Sequence, residues 1–110
     1  GAALAIENAR LYEAEHRIAD VLQTSLLPQE LPRLPGLALG SRYLAGAAGT
    51  QAGGDWYDVL ALDEHRAAVV VGDVVGNGPG AAAVMGQLRS AVACALLDGH
   101  GPARVLEQLD

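Results

Sequence analysis

The sequence predicts an α+β fold, on three observations: a long heptad-spaced helical segment at the start, one β-hairpin in the middle, and a continuous apolar helix straight after it. The helical segment runs from Ala2 to about Leu27. Leu4, Leu11 and Ile18 recur every seven residues, Ala14 and Val21 lie three beyond the last two, and Glu7, Arg10, Glu13, Glu15 and Arg17 fall mostly off that stripe. This is a short heptad seam. It serves either for packing within the chain or as a dimerising, signal-transmitting linker helix. Pro28, Pro32, Pro35 and Gly36 end it and place a domain boundary, with 1–24 on one side and 25–110 on the other.

After that boundary, Leu37 to Ala45 partly alternates and reads as a strand, and residues 46–53 as a loop of small residues. The hairpin follows. Val59-Leu60-Ala61-Leu62 and Ala67-Ala68-Val69-Val70-Val71 flank the polar break Asp63-Glu64-His65-Arg66. With the loop centred on Glu64, residues equidistant from it face each other, so Asp55 faces Asp73. Pro79 can open the next helix because its missing N–H costs nothing in the first turn. That helix has an apolar face of Ala81, Val84, Met85, Leu88, Val92, Ala95 and Leu96, runs to about Leu97, and stops at Gly99 and Gly101. Pro102 opens a last helix, Ala103 to Leu109.

Composition narrows the partners. Hydrophobic residues make up 51% of the 110 and aromatic ones only 4%, so Ala, Leu and Val fill the core. The net charge of −6, with no Lys, excludes the basic stripe that nucleic acid or an anionic membrane requires. Many Ala, Gly and Arg without Lys point to a high-G+C bacterial genome. A single cysteine, Cys94, rules out an internal disulfide and a cysteine zinc cluster, fits a cytoplasmic location, and is expected as a buried, inert thiol in the helical face. No apolar run is read as approaching the roughly 20 residues of a membrane span. The absence of an initial Met and of a signal peptide reads as an internal fragment.

The chemistry concentrates in Gly53-Gly54-Asp55-Trp56-Tyr57-Asp58 and Gly72-Asp73-Val74-Val75-Gly76-Asn77-Gly78. Like charges opposed across a sheet repel, and a carboxylate in apolar surroundings must be paired or bound to metal. Neither strand carries Arg or Lys, so a divalent cation is the simplest resolution. Asp73, on a strand apolar on both sides, is expected to be partly buried. Alternation puts Asp58 on the face opposite Asp55, behind the site or at the surface, and gives Trp56 a packing role. The competing reading of Asp73 is a turn aspartate capping Gly76-Asn77-Gly78. Carboxylates without a Cys or His cluster favour Mg²⁺ or Mn²⁺ over zinc. His16, His65 and His100 are scattered and read as solvent-facing. A further competitor is a dinucleotide-binding fingerprint, Gly76-x-Gly78-x-x-Ala81 followed by Asp98, but a hairpin strand precedes it and no second parallel strand follows.

Leu22-Gln23-Thr24-Ser25-Leu26-Leu27-Pro28, Gly53 to Asp58, Gly72 to Gly78, and Met85-Gly86-Gln87-Leu88-Arg89 resemble consecutive motifs of the SpoIIE-like branch of the PPM (type 2C) metal-dependent protein serine/threonine phosphatases. Ala5-Ile6-Glu7-Asn8-Ala9-Arg10-Leu11-Tyr12 is similar to the last helix of a GAF sensor domain. The resemblance implies the N-terminal part of an αββα sandwich, an antiparallel sheet packed by helices, behind a linker helix. It implies a two-metal Mn²⁺ or Mg²⁺ centre in which Asp73 bridges both metals, the Val74 carbonyl binds one and Asp55 completes the other. The implied substrate is a phosphoserine or phosphothreonine on a bacterial regulatory protein of the anti-sigma-factor-antagonist type. Position 77 is Asn where the family often has His or Lys, and the family's other aspartate ligands fall beyond residue 110, so the fragment alone is expected to be inactive. The alternative of a different class is a non-catalytic dimerising module with a vestigial acidic pair.

Overall fold

The computed structural model describes residues 1–43 and 53–110. Helix α1 spans Ala2–Leu26, strands β1 and β2 span Asp55–Ala61 and Ala67–Asp73, and helices α2 and α3 span Gly78–Leu97 and Pro102–Leu109. The mixture of helices with an antiparallel strand pair is the α+β class read from the sequence. Each helix end has a local cause. Leu27 leaves α1 with extended backbone immediately before Pro28. Pro79 and Pro102 stand in the first turns of α2 and α3. At the end of α2, Gly99 (φ 97°) donates to Leu96 and His100 to Ala95, the paired bonds of a left-handed glycine cap.

The segment after α1 departs from the expected strand. Leu37 forms only an isolated bridge to Leu34 across a Pro35-Gly36 turn with Gly36 at φ 79°, and residues 38–43 are in no strand. A strand needs a ladder partner, and among the described residues this segment has none beyond that bridge. Residues 44 and 45, and most of the predicted loop 46–53, lie outside the described residues.

β1 and β2 pair antiparallel from Asp55↔Asp73 to Ala61↔Ala67, the register centred on Glu64. Asp63 builds the turn: its Oδ1 accepts from His65 N at 2.8 Å, and its Oδ2 pairs with Arg66 Nε at 2.6 Å. That guanidinium holds the Asp63 carboxyl below the usual carboxylate range.

One face of the hairpin is packed. Trp56 joins Leu27 and Met85 in one buried cluster, while Val92, Leu96 and Val105 form a second that Leu60, Leu62 and Ala68 cover; Val70 touches both. Leu26 rests on Gly86, where a Cβ would lie 3.1 Å from its Cδ1, so α1 docks on α2 by its last turn. Farther along α1, Leu4, Leu11, Ile18 and Val21 are all more than half exposed. Their stripe is therefore not packing within the described chain.

Two further expectations change. Cys94 is exposed, because it sits two residues from Val92 and from Leu96, about 200° around the helix from each. And α2, at 20 residues with a mean hydropathy of 1.4, is by length and composition long and apolar enough to cross a membrane. Its many Ala and Gly residues hid that from a reading based on large apolar side chains. Met85, Val92 and Leu96 are nevertheless turned into the two clusters, and Arg89 near its middle faces an aspartate.

Candidate metal centre

The opposite hairpin face is open. Asp55, Ala61, Val69, Val71 and Asp73 are exposed on it, with Tyr57 and Val59 half-buried. Segment 39–43 runs beside it, where the Tyr57 hydroxyl donates to Ser41 Oγ at 3.3 Å and the Tyr43 and Tyr57 rings lie 6.5 Å apart. Together they bound a groove that has Asp55 and Asp73 at one end.

Glycines explain how two carboxylates come together there. Trp56 and Gly72 are the cross-strand pair next to Asp55 and Asp73. A Cβ on Gly72 would lie 2.1–2.5 Å from three atoms of the indole, so the ring occupies the space a side chain would need. Val74 N donates to Gly54 O at 3.0 Å, which carries the pairing one step past the aspartates. A Cβ on Gly54 would stand 2.2 Å from the Val74 oxygen, and one on Gly53 would stand 2.8 Å from Gly78 O. The Gly53-Gly54 backbone therefore lies directly against residues 74–78. Gly76 and Gly78 turn that loop into α2 with φ of 108° and 77°, values that favour glycine.

The result is a converging pair. Protonated, Asp55 can donate to the Asp73 carboxylate, which raises the Asp55 carboxyl above its ordinary 3.8, and partial burial and the neighbouring negative charge push the same way. Asp73 is exposed, against the expectation of partial burial, because the Val69–Val71–Asp73 side of β2 is the open side. The turn-capping alternative for Asp73 finds no bond from its side chain into residues 74–78 among those described.

Asp55, with its raised proton affinity, opposite a second carboxylate, Asp73, fits one edge of a hard-cation site. A cation there would remove the repulsion that now favours a proton. No group of three His, Cys, Asp or Glu that could hold a metal is found among the described residues, so these two do not complete a coordination shell.

Asp58 is on the other face, as alternation requires, yet it is buried at 4% exposure rather than at the surface. Its Oδ1 accepts from Val59 N at 3.0 Å and its Oδ2 lies 3.7 Å from Arg89 Nε on α2. The sequence reading missed Arg89 as its partner. The available signal was a charge four residues after Met85, inside the buried stripe of a helix. Of the histidines, His65 is exposed and His100 half-buried; the His16 side chain lies outside the described residues. The dinucleotide alternative is not supported by the topology, since the strand before Gly76 pairs antiparallel in a two-stranded hairpin.

Residues 63–110 match the family model described as Stage II sporulation protein E (SpoIIE). That is a phosphatase family. The matched segment holds Asp73, the glycine loop, α2 and α3, and is somewhat less than half of the chain. No solved structure matches the chain.

Proposed function

We propose that the chain is the N-terminal part of a SpoIIE-like, PPM-type protein serine/threonine phosphatase, with residues 25–110 in the catalytic domain and 1–24 a linker helix from a GAF-like sensor. The observation that carries this reading is the opposition of Asp55 and Asp73 at the end of the hairpin, with Asp73 inside the segment that matches the SpoIIE family. The glycine packing of Gly53, Gly54 and Gly72 supports it, since it lets the backbone beside Asp55 lie directly against the segment that carries Asp73 and Val74.

In this reading Asp73 and the Val74 carbonyl hold Mn²⁺ or Mg²⁺ with Asp55, and the remaining ligands come from residues beyond position 110. The metal centre, when bound, supplies an activated water for in-line attack on phosphorus. The chain's own part is to hold two negative charges at a fixed separation. A neutral amide at position 73 would take away negative charge that a divalent cation held there would need. The substrate is a phosphoserine or phosphothreonine of a bacterial regulatory protein in the cytoplasm, and the exposed Leu4, Leu11, Ile18 and Val21 stripe supports a homodimer through α1.

The test is phosphate release from a phosphoserine substrate by the full-length protein across a Mn²⁺ titration, with circular dichroism as the folding control. Asp73→Asn should abolish Mn²⁺-dependent release, Asp55→Asn should reduce it less, and both should stay folded. Near-normal turnover in folded Asp73→Asn protein would leave the non-catalytic dimerising module as the reading to keep.

A further inference from the structure

The Asp58–Arg89 pair is a poor choice if stability were its only purpose. A buried ion pair is on average no better than an apolar pair of the same volume, because both charges lose their hydration. Asp58 is nonetheless almost wholly buried, with its side chain 6% exposed and that of Arg89 28%. Their closest atoms stand at 3.7 Å, and Arg89 Nε is buried without a hydrogen bond. Such a pair restricts how β1 can rotate or slide on α2, whereas apolar contacts tolerate small displacements.

Its location gives that restriction a consequence. Helix α2 meets the β1 segment at two places. Its first residue, Gly78, lies under Gly53, and Arg89 reaches Asp58. Asp55 lies between these two anchors in the chain, on the opposite face of the same strand from Asp58. Its cross-strand neighbour Asp73 is tied to the same helix through the short loop 74–77.

We propose that Asp58 and Arg89 are positioning residues: their charge pair fixes β1 against α2 and thereby sets the separation of the Asp55 and Asp73 carboxylates for a divalent cation. This rests on the metal reading above. The pair touches neither cation nor substrate, and acts through the strand.

Charge gives the test its sign. Arg89→Met removes a positive charge, which through space alone would strengthen binding of a cation. A positioning role predicts the reverse. In the full-length protein, Mn²⁺ affinity measured by calorimetry should fall about 10-fold in Arg89→Met, the scale of loss seen when groups behind metal ligands are altered. The doubly apolar variant Asp58→Leu/Arg89→Met leaves net charge unchanged and no unpaired buried charge. Its urea midpoint should return to near wild type while its Mn²⁺ affinity stays about 10-fold weak. Arg89→Lys, which keeps the charge without the rigid guanidinium, should bind Mn²⁺ with an affinity between those of wild type and Arg89→Met, and guards against misfolding of the double variant. Wild-type or tighter Mn²⁺ binding by folded Arg89→Met or by the double variant would overturn the proposal. Asp73→Asn is the control that separates the two readings: undiminished Mn²⁺ binding there would remove the metal site itself, and this inference with it.

Discussion

Replacing Gly72 by Ala tests whether the indole of Trp56 sets the hairpin geometry. The new Cβ would lie 2.1, 2.2 and 2.5 Å from three ring carbons, where ordinary carbon contacts are roughly 3.5–4.0 Å. Relief requires the ring to retreat by about 1.5 Å. Behind it are Leu27 and Met85, the latter with no exposed surface, so the retreat must displace packed side chains. Overpacking of this kind costs about 1–3 kcal/mol. Against that, Ala in place of Gly returns about 0.4–1 kcal/mol by restricting the unfolded chain, since Gly72 has no positive φ to defend. The balance is a loss of about 1–2 kcal/mol. With a urea slope of about 1 kcal/mol per molar for a domain this small, the unfolding midpoint should fall by about 1–2 M. Gly80, on α2 with nothing within 4 Å of its would-be Cβ, is the control: Gly80→Ala should hold or raise the midpoint. Truncating the ring in Gly72→Ala/Trp56→Leu should recover part of the loss relative to Trp56→Leu alone. If Gly72→Ala raised the midpoint as Gly80→Ala does, the close indole–glycine contact would not exist and the stated reason the two carboxylates come together would fail.

Two other outcomes follow from the same structure. Because the Asp55 carboxyl is raised above its ordinary 3.8 in the folded chain, its ionisation opposes folding. That penalty is fully present above the raised value, shrinks as pH falls through it, and is gone below 3.8. Metal-free Asp55→Asn should therefore unfold at higher urea than wild type at pH 7, with the gap closing toward pH 4; a gap that widens on acidification would contradict the paired geometry. On α1, sedimentation should show a concentration-dependent dimer that Leu11→Asp and Ile18→Asp weaken, and a wild type that stays monomeric at high micromolar concentration would reduce the exposed stripe to an unpartnered surface.

What the sequence made legible was set by short-range rules. Centring the loop on Glu64 fixed the partner of every hairpin residue, and the Pro and Gly positions fixed the helix ends to within a residue or so. What it left hidden depends on three-dimensional surroundings. Alternation in 37–43 resembled a strand, but only a neighbouring backbone can make one. Asp73 looked buried because its strand is apolar on both sides, yet one of those sides is open among the described residues. Cys94 was assigned to the packed face without following the helical turn angle. Gly54 and Gly72 carried a signal, glycine beside or within a strand, whose meaning appears only when Val74 and the Trp56 ring are seen in the space a side chain would fill. Arg89 was legible as a charge in an apolar stripe, but its partner was not.

The most direct measurement is Mn²⁺ binding to the wild-type protein and to Asp73→Asn, by calorimetry at neutral pH without substrate. If Asp55 and Asp73 share a cation, wild type binds Mn²⁺ and Asp73→Asn binds far more weakly with folding intact. Equal Mn²⁺ affinity in the two folded proteins would contradict the shared site.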